Sequence, residues 1–178
     1  MKHKYTLLIY TENHIGLLNR ISIIFTRHKV NIETLNTSAS MHGDIHSFVI
    51  TINTTADKAE HLRKIIEKQV EVLKALLYED SQIIAQEVAL YKVSMRSIGK
   101  NNIIEQMVRN SNARILAVNP DFIVIEKTGN QSETQAFLEE LSVYDVREFI
   151  RSGRVIVTKP MKMLDDILRE MEQEEETN

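Results

Sequence analysis

Along KYTLLIYTENHIGLLNRISIIFTRHKVNIETL, residues 4–35, the apolar positions change period twice, and each change fixes an element. Tyr5, Leu7 and Ile9 alternate with Leu8 and Tyr10, the period of a strand whose two faces are both partly covered. Leu17, Ile21, Ile24, Phe25 and His28 then recur at helical spacing and form one stripe against a core. From Val30 to Met41 the strand period returns, HGD supplies a turn, and residues 45–53 alternate Phe48, Ile50 and Ile52 against Val49 and Thr51, completing a hairpin. Asp57 and Glu60 have the spacing of a capping box at the head of a second helix carrying Ala59, Leu62, Ile65 and Ile66. Residues 70–78 read as a fourth strand, so the order is βαββαβ.

The second half repeats it. Residues 87–97 read as a strand and 101–111 as a helix with Ile103, Ile104, Met107 and Val108. RILAV and FIVIEK are two strands around the turn Asn119, Pro120 and Asp121. Ser132 and Gln135 are placed to cap a helix carrying Phe137, Leu138 and Leu141, and residues 143–151 form a closing strand. Each half has its own helix pair to cover one sheet face. The fold class expected is therefore α+β, two tandem ferredoxin-like βαββαβ domains, at 1–80 and 81–160, joined near 79–86. In such a unit one sheet face has no helices and an edge strand is open, for which dimerisation is the expected remedy. After Pro160, MLDDILREMEQEEETN reads as a short amphipathic helix fading into a solvated acidic tail over 161–178.

The chain holds no grouping that announces catalysis. It has no cysteine, which removes disulfides, thiolate metal sites and thiol nucleophiles and fits a reducing, cytoplasmic setting. No apolar run approaches the ~20 residues of a membrane span, and the N-terminus shows no small-residue cleavage site. The net charge of −3 gives no pull toward nucleic acid, and the aromatic residues form no stacking platform interleaved with Lys and Arg. His42 and His46 flank a turn without a third ligand, and read as exposed loop histidines. Glu139, Glu140, Asp165 and Asp166 read as solvated charge on helix surfaces. Arg147, Arg151 and Arg154 suit either an anion site or a sheet edge kept soluble by charge.

The junction NHIGLLNR is where a small ligand fits best. The first N–H groups of a helix have no partner inside it, and the helix dipole favours an anion there. Gly16 lets such a ligand approach the backbone. Asn13 before the helix and Asn31 after it carry amides suited to an ammonium group, and the two are expected to frame one small pocket, with Ile15, Leu17 and Leu18 against a hydrocarbon side chain. The same residues suit an ordinary βα turn with a flexible glycine and two turn asparagines, and spacing alone favours that plainer reading.

YTENHIGLLNRISIIFTRHKVNIETL, set in βαββαβ order, resembles the N-terminal ACT domain of the acetolactate synthase small-subunit family, the regulatory subunits of acetohydroxyacid synthase. EVALYKV, ILAVNPDFIVIEKTG and AFLEELSVYDVREFIRSGRVIVTK are similar to that family's C-terminal domain, and the likeness runs over roughly residues 4–160. The resemblance implies a noncatalytic subunit that binds the thiamine-diphosphate-dependent catalytic (large) subunit, raises its activity and confers feedback inhibition by a branched-chain amino acid, valine first. It implies a homodimer through ACT domains, with effector sites at the interface of two protomers. Carried over, the effector-binding residues are Gly16, Asn13 and Asn31, with Leu18 and Ile32 as further contacts. It implies no cofactor on this chain, with thiamine diphosphate, Mg and FAD on the catalytic subunit. His14 and Ile15 depart from the smaller or acidic residue and the serine or proline common in the family before the glycine. Asn19, Ser38 and the stretch 36–47 also depart.

Two other readings stand beside this one. A free-standing ACT-type amino-acid sensor controlling another protein fits the same junction. A ferredoxin-like enzyme or RNA-binding module fits the architecture, but neither the charge nor the side chains.

Overall fold

A computed structural model of the chain describes residues 1–41, 43–98 and 103–161, with 166, 168, 169 and 173. It divides into two compact units, Met1–Ile84 with Ile156–Asn178, and Ala85–Val155.

In the first unit, β1 (His3–Glu12) leads to α1 (Leu17–Arg27), β2 (Ile32–Ala39), β3 (Ile45–Thr54), α2 (Ala56–Glu67) and β4 (Val72–Glu79). The strands form one antiparallel sheet in the order β2-β3-β1-β4. Leu7, Ile9, Ile50 and Ile52 meet Leu17, Ile21 and Phe25 of α1 and Ala59, Leu62 and Ile66 of α2 in a single buried core. The alternation in β1 therefore works as expected, with one set of side chains under the helices and the other on the opposite face. On that opposite face Thr6, Leu8, Val49 and Thr51 are also buried, while Ser38 on the edge strand is exposed.

A short 3-10 turn, Asp80–Gln82, closed by reciprocal Glu79 and Gln82 bonds, precedes β5 (Ile83–Ser94). Then follow α3 (Met95–Ile98), α4 (Ile103–Asn110), β6 (Arg114–Val118), β7 (Phe122–Gly129), α5 (Gln131–Leu141), β8 (Val146–Arg151) and β9 (Val155–Thr158). The second sheet runs β6-β7-β5-β8, and β9 pairs with β5 off that path. Ala89, Tyr91, Val93, Ile123 and Ile125 pack against Ile104, Val108, Phe137 and Leu141. The Tyr91 hydroxyl donates to the Thr134 carbonyl at 2.6 Å, and burial pushes the phenol up to about 12. The helix-free face of this sheet carries Leu90, Val124 and Ile150 with Lys92 lying over the Phe122 ring at 4.6 Å, and Leu90 and Ile150 are exposed.

Several local expectations fall to nearer partners. The Asp57–Glu60 capping box does not form. The N-cap is Thr55, without a side-chain bond, and Glu60 turns to Arg63, which donates to both its oxygens at 2.8–3.0 Å and also reaches Glu67 and the Ala75 carbonyl. Arg63 holds the Glu60 carboxyl below the usual range through that hydrogen bond; at Glu67 burial pushes upward and is outweighed by Arg63 and Lys74. The α5 cap sits two residues before the expected Ser132: Asn130 Oδ1 accepts from the Glu133 N–H at 3.0 Å, and Glu133 Oε2 accepts from the Asn130 N–H at 2.7 Å.

β5 ends at Ser94 rather than at residue 97, because Met95 N–H leaves the ladder for the Asp121 carbonyl and the Ser97 hydroxyl turns back to the Ser94 carbonyl. The helix expected at 101–111 is seen over Ile103–Asn110; positions 101 and 102 lie outside the described residues. β8 starts at Val146 because Tyr144 is held in a turn on Leu141. Nearly all of the expected tail helix lies outside the described residues, as do His42 and Asp165; Asp166 is exposed.

Arg151 and Arg154 line neither a solvated edge nor an open anion site. Both bind Glu87, at 3.3 and 3.4 Å, and Glu87 and Arg154 are 3% and 6% exposed, so they form a buried ionic knot at the end of the second sheet. Arg147 is exposed and pairs with Asp145.

Candidate functional site

The junction after β1 is pinned from three sides. Glu12 N–H donates to the Glu71 carbonyl at 3.0 Å, Asn13 N–H to the Asp44 carbonyl at 3.2 Å, and Arg20 N–H to the Gly16 carbonyl at 3.2 Å. These bonds tie the loop to the segment before β4, to the β2–β3 turn and to its own helix. Gly16 is the N-cap of α1 with φ 86°, a left-handed conformation that a Cβ disfavours, and no side chain caps the helix. A Cβ at Gly16 would meet nothing within 4 Å. The backbone needs glycine for its φ, and the space over it is open.

Its neighbours divide sharply. Leu17 turns inward and is 2% exposed in the core, which corrects its expected place against a ligand. Ile15 is fully exposed and Leu18 is 42% exposed, so these two supply the apolar surface beside the open backbone. Asn13 is exposed at the same end.

Asn31 is not there. β1 and β2 both run antiparallel to β3 and are therefore parallel to each other. Ile32 and Tyr5 both lie level with Ile52, while Thr11 and Ala39 both lie level with His46. Tyr5 and Thr11 are six residues apart, about 20 Å along a strand. Asn13 follows the far end of β1 and Asn31 precedes the near end of β2, so one chain does not bring the two asparagines into one pocket. Asn31 instead donates through Nδ2 to Glu33 Oε1 at 3.4 Å, and Ile32 is half-buried beside the core.

The sequence carried no sign of the strongest contact at the junction. Arg20, one turn into α1, donates to Glu71 Oε1 at 2.5 Å, and this bond holds the Glu71 carboxyl below the usual carboxylate range. His14 lies beside it, with Nε2 4.0 Å from Glu12 Oε2. Glu33, the partner of Asn31, was likewise unmarked. Among the described residues there is no group of three or more His, Cys, Asp or Glu side chains able to hold a metal, and no helix long and apolar enough to cross a membrane. The site offers backbone N–H groups, amides and exposed apolar side chains, which is equipment for binding.

Known proteins are similar to this chain in sequence and in fold. Residues 86–160 match the family model described as small subunit of acetolactate synthase, and residues 7–74 match the AHAS small subunit-like ACT domain. The acetolactate synthase small subunit of Mycolicibacterium smegmatis is 30% identical over 155 residues, covering 87% of this chain and 91% of the relative. That of Bacillus subtilis is 29% identical over 154 residues, covering 86% and 88%. The crystal structure of the small subunit from Thermotoga maritima superposes with a TM-score of 0.80 at 25% identity, over 88% of this chain and 98% of that one. With both halves matched in order and the relatives covered almost end to end, the chain belongs to the acetolactate synthase small-subunit family.

Proposed function

We propose that this chain is the noncatalytic regulatory subunit of an acetolactate synthase, binding the catalytic large subunit, raising its activity and conferring feedback inhibition by a branched-chain amino acid, valine first. The observation that carries the effector site is Gly16, held at φ 86° at the head of an uncapped helix with open space where a side chain would stand. A carboxylate is received there by backbone N–H groups and the positive end of the helix dipole. Ile15 and Leu18 take the hydrocarbon side chain, and Asn13 takes part of the polar head.

The separation of Asn13 from Asn31 supports a site shared by two copies. β2 is an edge strand. An antiparallel junction of β2 with its counterpart in a second copy reverses the strand direction, which carries Asn31 of the partner subunit to the end where Asn13 and Gly16 lie. Asn31 and Ile32 then complete the pocket from across the interface, and effector binding is coupled to the arrangement of subunits. In this reading residues 1–80 bind effector and dimerise, and 81–160 serve contact with the large subunit. The chain works in the cytoplasm, and thiamine diphosphate, Mg and FAD belong to the large subunit.

The test is acetolactate formation by the large subunit from the same source, with and without this chain, across titrations of valine, leucine and isoleucine. Stimulation followed by amino-acid-dependent inhibition is the expected result. Stimulation without inhibition removes the effector site and keeps the partner. No effect on the enzyme removes the partner and favours a free-standing sensor.

A further inference from the structure

The helix-free face of the first sheet is closed to solvent. Thr34, Thr51, Thr6 and Tyr78 lie level across its four strands, with Leu8 and Val49 paired beside them. Thr6, Thr51, Leu8 and Val49 are 0%, 2%, 7% and 6% exposed, although α1 and α2 both pack on the other face. The hydroxyls of Thr6, Thr34 and Thr51 find no hydrogen-bond partner among the described residues, so water does not reach them either. Burial raises the Tyr78 phenol in the same row. A sheet face this dry has something lying on it.

The chain itself supplies a cover. Lys159, just past β9, donates its N–H to the Gln82 carbonyl at 3.0 Å and its Nζ to the Ser81 carbonyl at 2.6 Å. The turn holding those carbonyls follows β4, the edge strand whose Glu79 lies level with Tyr5, so the residues after 160 start beside this edge of the sheet. They belong to the first unit. In sequence, Met163, Leu164, Ile167, Leu168 and Met171 recur at helical spacing as one apolar stripe. Asp166, Leu168, Arg169 and Gln173 are helical; Leu168 is half-buried, and the other three, spaced to share the opposite side, are exposed. Nine residues of helix span about 13 Å, and four strands about 14 Å between their outer axes, so one such helix crosses the whole sheet.

We propose that residues 163–171 are an amphipathic helix lying across the helix-free face of the first sheet, their apolar stripe against Leu8 and Val49 and the acidic residues beyond left in solvent. The segment is then a built-in partner. It takes the face that a sheet of this order otherwise offers to another molecule, and leaves edge pairing through β2 as the route to a second copy. The proposal is independent of the effector site.

The experiment is methyl-detected NMR on the full chain labelled at Leu and Val, beside Leu168→Asp, Arg169→Ala and a chain ending at Pro160. The expected result is nuclear Overhauser contacts from the Leu168 methyls to those of Leu8 or Val49 within one chain. Leu168→Asp and the shortened chain should bind at least about twofold more anilinonaphthalene sulfonate, a dye for exposed apolar surface, while Arg169→Ala matches the wild type. Contacts that appear only between differently labelled copies put a second copy on the face and overturn the proposal. So does the absence of any contact from Leu168, or Leu8 and Val49 methyl shifts that stay unchanged in both Leu168→Asp and the shortened chain. If the shortened chain does not fold, the contacts in the intact chain decide.

Discussion

Arg20 and Glu71, fifty-one positions apart, are joined by a 2.5 Å hydrogen bond between guanidinium Nη2 and carboxylate Oε1. The same Glu71 accepts the Glu12 N–H on its backbone carbonyl, so a single residue anchors both the end of β1 and the first full turn of α1, and the loop carrying Gly16 hangs between those anchors. Arg20→Ala is expected to weaken effector binding by about an order of magnitude with little change in thermal midpoint, since a loosened support costs a site more than a fold. A double-mutant cycle with Glu71→Gln, read by calorimetry, should show the two effects to be non-additive. The Glu71 carboxyl is depressed by Arg20, so the bond is complete above the ordinary glutamate range and is lost as pH falls below it, through the folded value.

Gly16 separates backbone strain from ligand charge. Gly16→Ala places a Cβ in open space at φ 86° and is expected to cost about 1 kcal/mol of stability from the backbone alone. Gly16→Asp tolerates that conformation better but sets a negative charge where the carboxylate would sit. Feedback inhibition should weaken by at least about tenfold, while stimulation of the large subunit survives. Inhibition curves for the two variants, beside their chemical denaturation, make the comparison.

Glu87 is shared by Arg151 and Arg154 and is almost wholly buried. Removing it as Glu87→Ala leaves two guanidinium groups facing each other in a desolvated place. A loss of about 3–5 kcal/mol in urea denaturation is expected, several times that of an exposed ion pair.

Tyr91 gives the second unit an alkaline signature. Its phenol is raised to about 12 by burial, so the stability it contributes is full below the ordinary phenol value and is lost as pH rises through the folded value. Burial raises the Tyr10 and Tyr78 phenols as well, so spectrophotometric titration should show several tyrosines ionising late, and Tyr91→Phe should remove the latest of these steps while losing about 1 kcal/mol from the bond to Thr134.

The position of the α5 cap is open to a direct comparison. Asn130→Ala should cost about 1 kcal/mol, and Ser132→Ala clearly less, because Ser132 only donates its hydroxyl to Asn130 Oδ1 while Asn130 accepts from the helix backbone. Equal losses would return the cap to Ser132.

What the sequence determined by itself is local. Tyr5, Leu7 and Ile9 could lie on one face only if the chain was extended, and Leu17, Ile21, Ile24 and Phe25 could share a face only if it was helical. Short-range sterics and the burial of a stripe therefore made the order of elements legible twice over. The glycine between them was legible for the same reason: a strand and a helix meet there without a capping side chain, and Gly16 proved to need its positive φ. Where several partners compete over one or two turns, the pattern was not enough, and Glu60 went to Arg63 rather than to its own helix head.

What only the tertiary structure decided is which distant residues meet. Asn13 and Asn31 flank one helix in sequence, yet the strand order β2-β3-β1-β4 makes β1 and β2 parallel and sends the two asparagines to opposite ends of the sheet. The same packing brought Glu71 to Arg20 and enclosed Glu87 between Arg151 and Arg154. Strand order and register are set by how whole faces bury against each other, a property of the assembled sheet that no window of neighbouring residues contains.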